Sequence, residues 1–400
     1  MLYKVTNLFH KEICPYCFEY FRLKDTPFRC TSPPKICPPE PDPVYADKWE
    51  DSSPKGKVLV PKQKFKELFI RSMRCHHCHN KSYTRICPHC HMELPQATGH
   101  YKNHIFAVIG AKDSGKSHYI AVLIDQIRKR VGPTMRLLLS AENDFTRERY
   151  KKDFYDPLFK NAETIRGTIS ALSDQKVSLP MIYEIRLVKD KPFKKNVVTK
   201  YMTIVFFDTA GEDLEKENVM STVNKYIYRS NGIILLIDPL QLGIVRSRLP
   251  KDTPLPGKYT ETVDILERTT ALIKNGQNLK ETEKIKTPLA ISFSKFDAVL
   301  SLVDPQFQLH RVGNHVGGFD MCDFEAVNSE MMSLLDQWNG QDIIQQAQTR
   351  YSRHAFFGLS SLGCNPDETH KVPQVVPKRV EDPFLWLLAE NGIIKKKGSI

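Results

Sequence analysis

The stretch that most limits what this chain can fold into is His104 to Ser117, HIFAVIGAKDSGKS. An apolar run, Ile105 to Ile109, leads straight into Gly110-Ala-Lys-Asp113-Ser114-Gly115-Lys116-Ser117, the G-x-x-x-x-G-K-S phosphate-binding loop pattern. Gly110 and Gly115 let the backbone curl so that its N–H groups face a row of phosphates. Lys116 sets a point charge against the outer phosphates, and the Ser117 hydroxyl is suited to ligate Mg²⁺. Behind the loop, Ile120, Leu123, Ile124, Ile127 and Val131 recur at helical spacing, and Gly132-Pro133 is expected to stop the helix. A strand entering the loop and a helix leaving it, with its positive dipole end on the anion, separate this match from a chance turn.

Further along, IYEIRLV (182–188) and MTIVFF (202–207) read as two strands of an antiparallel hairpin. The second runs into Asp208-Thr-Ala-Gly211-Glu212. D-x-x-G after an apolar strand is expected to bring Asp208 towards Mg²⁺ and the Gly211 N–H towards a γ-phosphate. A helix around 219–228 precedes the buried strand GIILLI and Asp238-Pro239. Residues 241–258 read as a surface loop, and 261–274 as a helix. The strand Pro288–Phe293 ends in Ser294-Lys295-Phe296-Asp297. A carboxylate at Asp297 can accept two hydrogen bonds from guanine N1–H and its 2-amino group, which adenine does not offer, while the Lys295 stem can lie along the base plane. The segment 356–363 reads as a last strand and turn, with an N–H near Ser360 or Ser361 for the guanine O6. Asp382-Pro383 and Gly392 bracket a final apolar helix, and Lys395–Lys397 reads as a solvated tail.

The 400 residues allow two or three domains, and the expected division is 1–103 and 104–400. No apolar run approaches a membrane span, and the N-terminus lacks the features of a secretory signal, so a cytoplasmic setting is expected. Eight of ten cysteines precede residue 91, a clustering that favours metal over disulfides in such a setting. Cys75-x₂-Cys78 and Cys87-x₂-Cys90 are expected to place four thiolates around one structural Zn²⁺. Cys14, Cys17, Cys30 and Cys37 form a less regular second set, and the two sites can exchange pairs. His76, His77, His79, His89 and His91 crowd the region and read as supporting groups rather than ligands. Residues 32–62 read as extended chain without its own core, with Trp49 as an anchor. The net charge of +12 includes +7 from residues 1–104 (17 Lys/Arg, 10 Asp/Glu), which permits contact with nucleic acid or an acidic partner.

Taken in order, GAKDSGKS, DTAGE, SKFD and SSLG resemble the motifs of the TRAFAC-class, Ras-like P-loop GTPases over residues 104–392. FFDTAGEDL, ILLIDP, DPFLWLL and the cysteine-rich front end look closest to bacterial double-GTPase families of conflict or anti-phage systems. The resemblance implies an α/β domain, a mostly parallel sheet with helices on both faces, preceded by a small zinc-stabilised module. It implies GTP/GDP and Mg²⁺ as ligands, a molecular switch that hydrolyses GTP, and protein partners in a multi-gene system. Three features depart from the pattern. Ser294 stands where the family carries asparagine, and Glu212 where Ras-like members carry the glutamine that orients water. The switch-one threonine has two candidates, Thr164 and Thr168. Asp113 occupies a position where translation-factor-like members carry Asp, and it either caps loop amides or neighbours a monovalent cation. The alternatives to a hydrolysing switch are a GTP-binding scaffold that does not turn over, and a nucleic-acid-binding zinc protein with a regulatory nucleotide.

Overall fold

A computed structural model describes residues 11–61, 71–96, 98–99, 103–165, 179–191, 194–206, 220–251, 253, 255 and 262–398. The chain divides into two compact units, Met1–Asn103 and His104–Ile400. Asp208, Gly211, Glu212 and Thr168 lie outside the described residues.

The second unit is built on a seven-stranded sheet. In chain order its strands are β1 (His104–Gly110), β2 (Leu137–Ala141), β3 (Met181–Lys191), β4 (Lys194–Phe206), β5 (Gly232–Ile237), β6 (Leu289–Phe293) and β7 (His354–Gly358). They lie side by side as β7-β6-β5-β1-β4-β3-β2. The pairs from β7 across to β4 are parallel, whereas β3 is antiparallel to both β4 and β2. This mixed α/β sheet, mostly parallel, is the fold class expected from the motifs. β5, β6 and nearly all of β1 are buried along their whole length, as strands covered on both faces must be. Among the described residues β1 pairs with β4 at His104 and Ile105. Beyond that register the Tyr226 hydroxyl donates to the Phe106 carbonyl (2.7 Å) and accepts from the Val108 N–H (3.2 Å), so both buried backbone groups are satisfied.

The helices are α1 (Lys116–Gln126), α2 (Asp144–Arg149), α3 (Met220–Tyr228), α4 (Gly243–Arg248), α5 (Thr262–Gln277), α6 (Met321–Gln337), α7 (Gln341–Arg350) and α8 (Asp382–Glu390). Phe106 and Val108 of β1 join α1 and α8 in one apolar cluster. Alternation along the strand turns Ile105, Ala107 and Ile109 to the opposite face. Every residue of α8 from Asp382 to Ala389 is buried, which fits a helix apolar on all sides.

Several expectations are corrected. Gly132-Pro133 does not stop α1. The chain continues through wider turns over Ile127–Val131 into a short helix, Gly132–Met135: the Gly132 N–H still donates to the Ile127 carbonyl, and Pro133, which has no N–H, omits a bond without ending the run. The left-handed Arg136 (φ 53°) ends the run. The segment read as a surface loop contains α4, pinned by the buried Val245. Asp382 does not cap α8; it lies inside the helix and binds Arg379. Lys395–Lys397 is no free tail: Lys396 and Lys397 pair in parallel with Phe319 and Asp320, and Lys396 Nζ lies 2.6 Å from Glu390.

In the first unit three short hairpins carry the Cys-x₂-Cys turns at their tips. Lys11–Ile13 pairs with Tyr20–Arg22 around Cys14 and Cys17, and Met73–Arg74 with Lys81–Ser82 around Cys75 and Cys78. Ile86 bridges to Glu93 around Cys87 and Cys90. The region read as featureless holds a helix, Pro43–Trp49, capped by Asp42 through the Tyr45 N–H (3.1 Å).

Candidate functional site

The Gly110–Ser117 loop joins β1 to α1. Gly110 sits against β5: a Cβ there would stand 2.5 Å from the Leu236 carbonyl oxygen and 2.6 Å from the Ser114 hydroxyl, so no side chain fits. Gly115 takes φ +85°, the left-handed region that favours glycine. Asp113 is also left-handed, at φ 61°. Lys116 is buried, and its ammonium donates to the carbonyls of Gly110 (3.0 Å) and Ala111 (2.9 Å), so the charge is held at the mouth of the loop. Ser117 follows it on the first turn of α1.

Because β1, β5, β6 and β7 are parallel neighbours, their C-terminal ends lie along one edge of the sheet, where ligands of open α/β sheets bind. Ser294-Lys295-Phe296-Asp297 follows β6 at that edge. The Ser294 N–H and hydroxyl both donate to the Ile237 carbonyl at the end of β5 (2.8 and 3.1 Å). The Phe296 N–H donates to Leu359, just past β7 (3.0 Å). The Ser360 hydroxyl donates to Asp297 Oδ1 and accepts from the Gly363 N–H (2.8 Å). Ser360 also exchanges backbone hydrogen bonds with Lys378 (2.9 and 3.0 Å), and Ser361 is buried beside it. The residues singled out in GAKDSGKS, SKFD and SSLG are thus gathered on one sheet edge.

Thr164, one of the two threonine candidates, lies among the described residues. Its N–H donates to His370 (2.9 Å), and Glu163 bridges to Lys371, so the segment runs along the loop after Ser361. The next N–H, of Ile165, donates to His118 Nε2 (3.0 Å). Burial, and secondarily the nearby Lys295 ammonium, push the His118 pKa down to about 4, keeping that nitrogen a free acceptor at neutral pH. His118 was not singled out in the sequence; only its place directly after Ser117 hinted at it.

The cysteines correct the first pairing and bear out the exchange of pairs that the sequence left open. Cys75, Cys78, Cys87 and Cys90 do not converge. The sets that do are Cys14, Cys17, Cys87, Cys90 and Cys30, Cys37, Cys75, Cys78, each with all Sγ atoms within 4.8 Å of one another. The pairs are therefore nested, first with last and second with third. The reason lies in the hairpins: eight residues between Cys78 and Cys87 are spent on strands of two separate hairpins, so the tips do not meet. Neighbouring sulfurs lie 3.8 Å apart (Cys14–Cys90, Cys17–Cys87, Cys37–Cys75) or 3.7 Å (Cys30–Cys78). That is far beyond a disulfide and matches the edge of about 3.8 Å that a tetrahedral ion about 2.3 Å from each thiolate requires. Four thiolates at this separation fit Zn²⁺ in a closed site. In the three Cys-x₂-Cys turns the next residue is left-handed (Phe18, His79, His91), and its N–H donates 3.0 Å back to the first cysteine's carbonyl.

No histidine belongs to either set. His91 Nδ1 instead lies 2.8 Å from Asp42, which also binds Arg29 (2.8 Å), and the Trp49 indole donates to the Cys90 carbonyl (2.9 Å). Burial alone would raise the Asp42 pKa; Arg29, the Tyr45 N–H and His91 outweigh it and hold the carboxyl below its usual value. Trp49 is thus an anchor beside the first tetrad, as the sequence suggested.

A third group, His315, Asp323 and Asp382, has metal-compatible spacing, but Arg379 fills it. Its guanidinium donates to Asp323 (2.8 and 2.9 Å) and to Asp382 (2.6 Å), and His315 lies 3.1 Å from Asp382.

No family model matches the chain. It is 24% identical over 335 residues to the "Putative ESX-1 scaffolding and assembly protein SaeC" of Mycolicibacterium smegmatis, covering 77% of this chain and 80% of that protein. A solved complex of the signal recognition particle receptor SRb with GTP and SRX, from Chaetomium thermophilum, overlaps 67% of this chain and 95% of its own at 12% identity and a TM-score of 0.30. The Arl6 BBS3 small GTPase from Trypanosoma brucei, solved with a bound nucleotide analogue, overlaps 74% of this chain and 100% of its own at 11% identity and a TM-score of 0.31. TM-scores this low carry no argument; the strand order and the loops at the sheet edge do. No helix among the described residues is long and apolar enough to cross a membrane.

Proposed function

We propose that the chain is a guanine-nucleotide-binding switch, taking GTP and GDP with Mg²⁺, whose N-terminal unit is held by two structural Zn²⁺ ions. The observation that carries the reading is Asp297. One of its oxygens is engaged by Ser360, and the other has no protein partner among the described residues. It stands at the end of β6, on the sheet edge that also carries the phosphate loop, where a carboxylate can take two donors from guanine. Lys116, Ser114 and the Gly110–Ser117 backbone would hold the phosphates, and Ser117 with Asp208 would hold the Mg²⁺. The ion would neutralise phosphate charge. Gly211 and Glu212 would sense the γ-phosphate, with Glu212 making hydrolysis slow without a partner. Two closed thiolate tetrads have no open position for catalysis, so the N-terminal unit's task is docking.

The deciding experiment is Mg²⁺-dependent affinity for GTP, ATP and XTP on the parent and on Asp297→Asn. The parent should prefer GTP and the variant XTP. Equal GTP and ATP affinity, unmoved by the substitution, would refute the guanine site.

A second reading is a GTP-bound scaffold that does not turn over, and the scaffolding role in the name of the SaeC relative favours it. Single-turnover hydrolysis separates the two. On either reading the same likeness supports protein partners in a multi-protein assembly over nucleic acid. The anti-phage setting rests on motif resemblance alone.

A further inference from the structure

Asp238 is the residue that stands out beyond the expected motifs. It follows β5 directly and is 5% exposed on its side chain, yet ionisable. Its Oδ1 accepts from the Leu240 N–H (2.9 Å), and its Oδ2 lies 2.7 Å from Lys295 Nζ. A buried carboxylate needs a counter-charge, and Lys295 is its ion-pair partner. Lys295 is itself held in the left-handed region, φ 50°, a conformation that a non-glycine residue keeps only when its surroundings impose it.

The ties of this loop run sideways along the sheet. Ser294 bonds twice to Ile237, Lys295 bonds to Asp238, Phe296 to Leu359 and Asp297 to Ser360. Among the described residues none of these bonds reaches Gly110–Ser117. The Ser294 hydroxyl is spent on the end of β5, which anchors the loop.

We infer that Asp238 is a positioning residue for guanine recognition: it clamps Lys295 and hangs the base-reading loop on β5. The inference rests on the guanine-binding reading proposed above. Asp238 touches no ligand. It acts by fixing the direction of the Lys295 stem, and through it the place of Asp297 two residues on.

The test uses the full chain and measures GTP, GDP and ATP affinities for Asp238→Asn, Lys295→Met, the double variant and Asp297→Asn. An asparagine at 238 keeps an acceptor for the Leu240 N–H and nearly the same shape, so the turn is retained while the charge pair is lost. GTP and GDP affinity should both fall about ten- to hundredfold, the worth of a hydrogen bond to a charged group, while ATP affinity stays at the parental value. With methionine at 295, adding Asp238→Asn should leave the GTP-to-ATP ratio where Lys295→Met put it. An unchanged ratio in Asp238→Asn, or an equal loss for all three nucleotides, overturns the inference, since the latter is what general damage to the site would give. If Asp297→Asn itself leaves GTP preference intact, the guanine reading falls first and the inference with it.

Discussion

Replacing cysteines in sets of four distinguishes nested zinc sites from consecutive ones by whole-number stoichiometry. The two tetrads would hold two ions per chain, one for Cys14, Cys17, Cys87 and Cys90 and one for Cys30, Cys37, Cys75 and Cys78. Sulfur separations of 3.7 and 3.8 Å are those of a tetrahedron about 2.3 Å in radius, so each set is complete with four ligands and borrows none from the other. Serine at Cys14, Cys17, Cys87 and Cys90 then removes one site whole, and elemental analysis of the dialysed protein should fall from two zinc ions to one. Serine at Cys75, Cys78, Cys87 and Cys90 takes two ligands from each site and should leave none. Consecutive pairing predicts the reverse, none for the first variant and one for the second. That reversed pattern would refute the nesting. A complementary variant at Cys30, Cys37, Cys75 and Cys78 should again retain one ion. Structural zinc contributes on the order of 10 kcal/mol to such a fold, as much as the whole stability of a small domain. A strong chelator should therefore unfold the N-terminal unit.

Lys116→Ala should reduce affinity for GTP and GDP at least a hundredfold in an equilibrium titration, because the ammonium held at the loop mouth is lost; retained tight binding would remove the phosphate-loop assignment. Arg379→Met should destabilise the second unit by about 3–5 kcal/mol in denaturant unfolding, since it strands Asp323 and Asp382 as buried carboxylates without their counter-ion. For His118 the sign follows from a folded pKa of about 4 against about 6.5 unfolded. The unfolded chain binds the extra proton between those values, so the contribution of neutral His118 is present above pH 6.5 and is lost as pH falls towards 4. His118→Gln should therefore lose less melting temperature than the parent between pH 7 and pH 5; equal losses would show that His118 does not titrate in this way.

Much of the sheet edge was legible because each part depends on near neighbours. The Gly110–Ser117 turn, the run into Ser294–Asp297 and the hairpin of β3 and β4 follow from residue types a few positions apart. Other features were hidden in the sequence because their partners are remote. Asp238 read as the end of a buried strand, since Lys295 is 57 positions away. Asp382-Pro383 does start the final helix, but Asp382 does not cap it, because Arg379, at its φ of 52°, draws the carboxylate into an ion cluster with Asp323. Lys396 and Lys397 looked like tail because strand pairing with Phe319 and Asp320 leaves no trace in a run of lysines.

By itself the sequence determined the strand–glycine turn–helix at Gly110–Ser117, the order of the strand-end motifs, the α/β class and the presence of eight clustered cysteines. Each of these is written in a periodicity or a spacing within one turn or one strand. Only the tertiary structure decided which cysteines share a site, what anchors the base-reading loop and where the C-terminal charges go. Those choices depend on which hairpin tips and strand ends face one another across the fold. That direction is set by packing of the whole unit, and no local pattern of residues carries it.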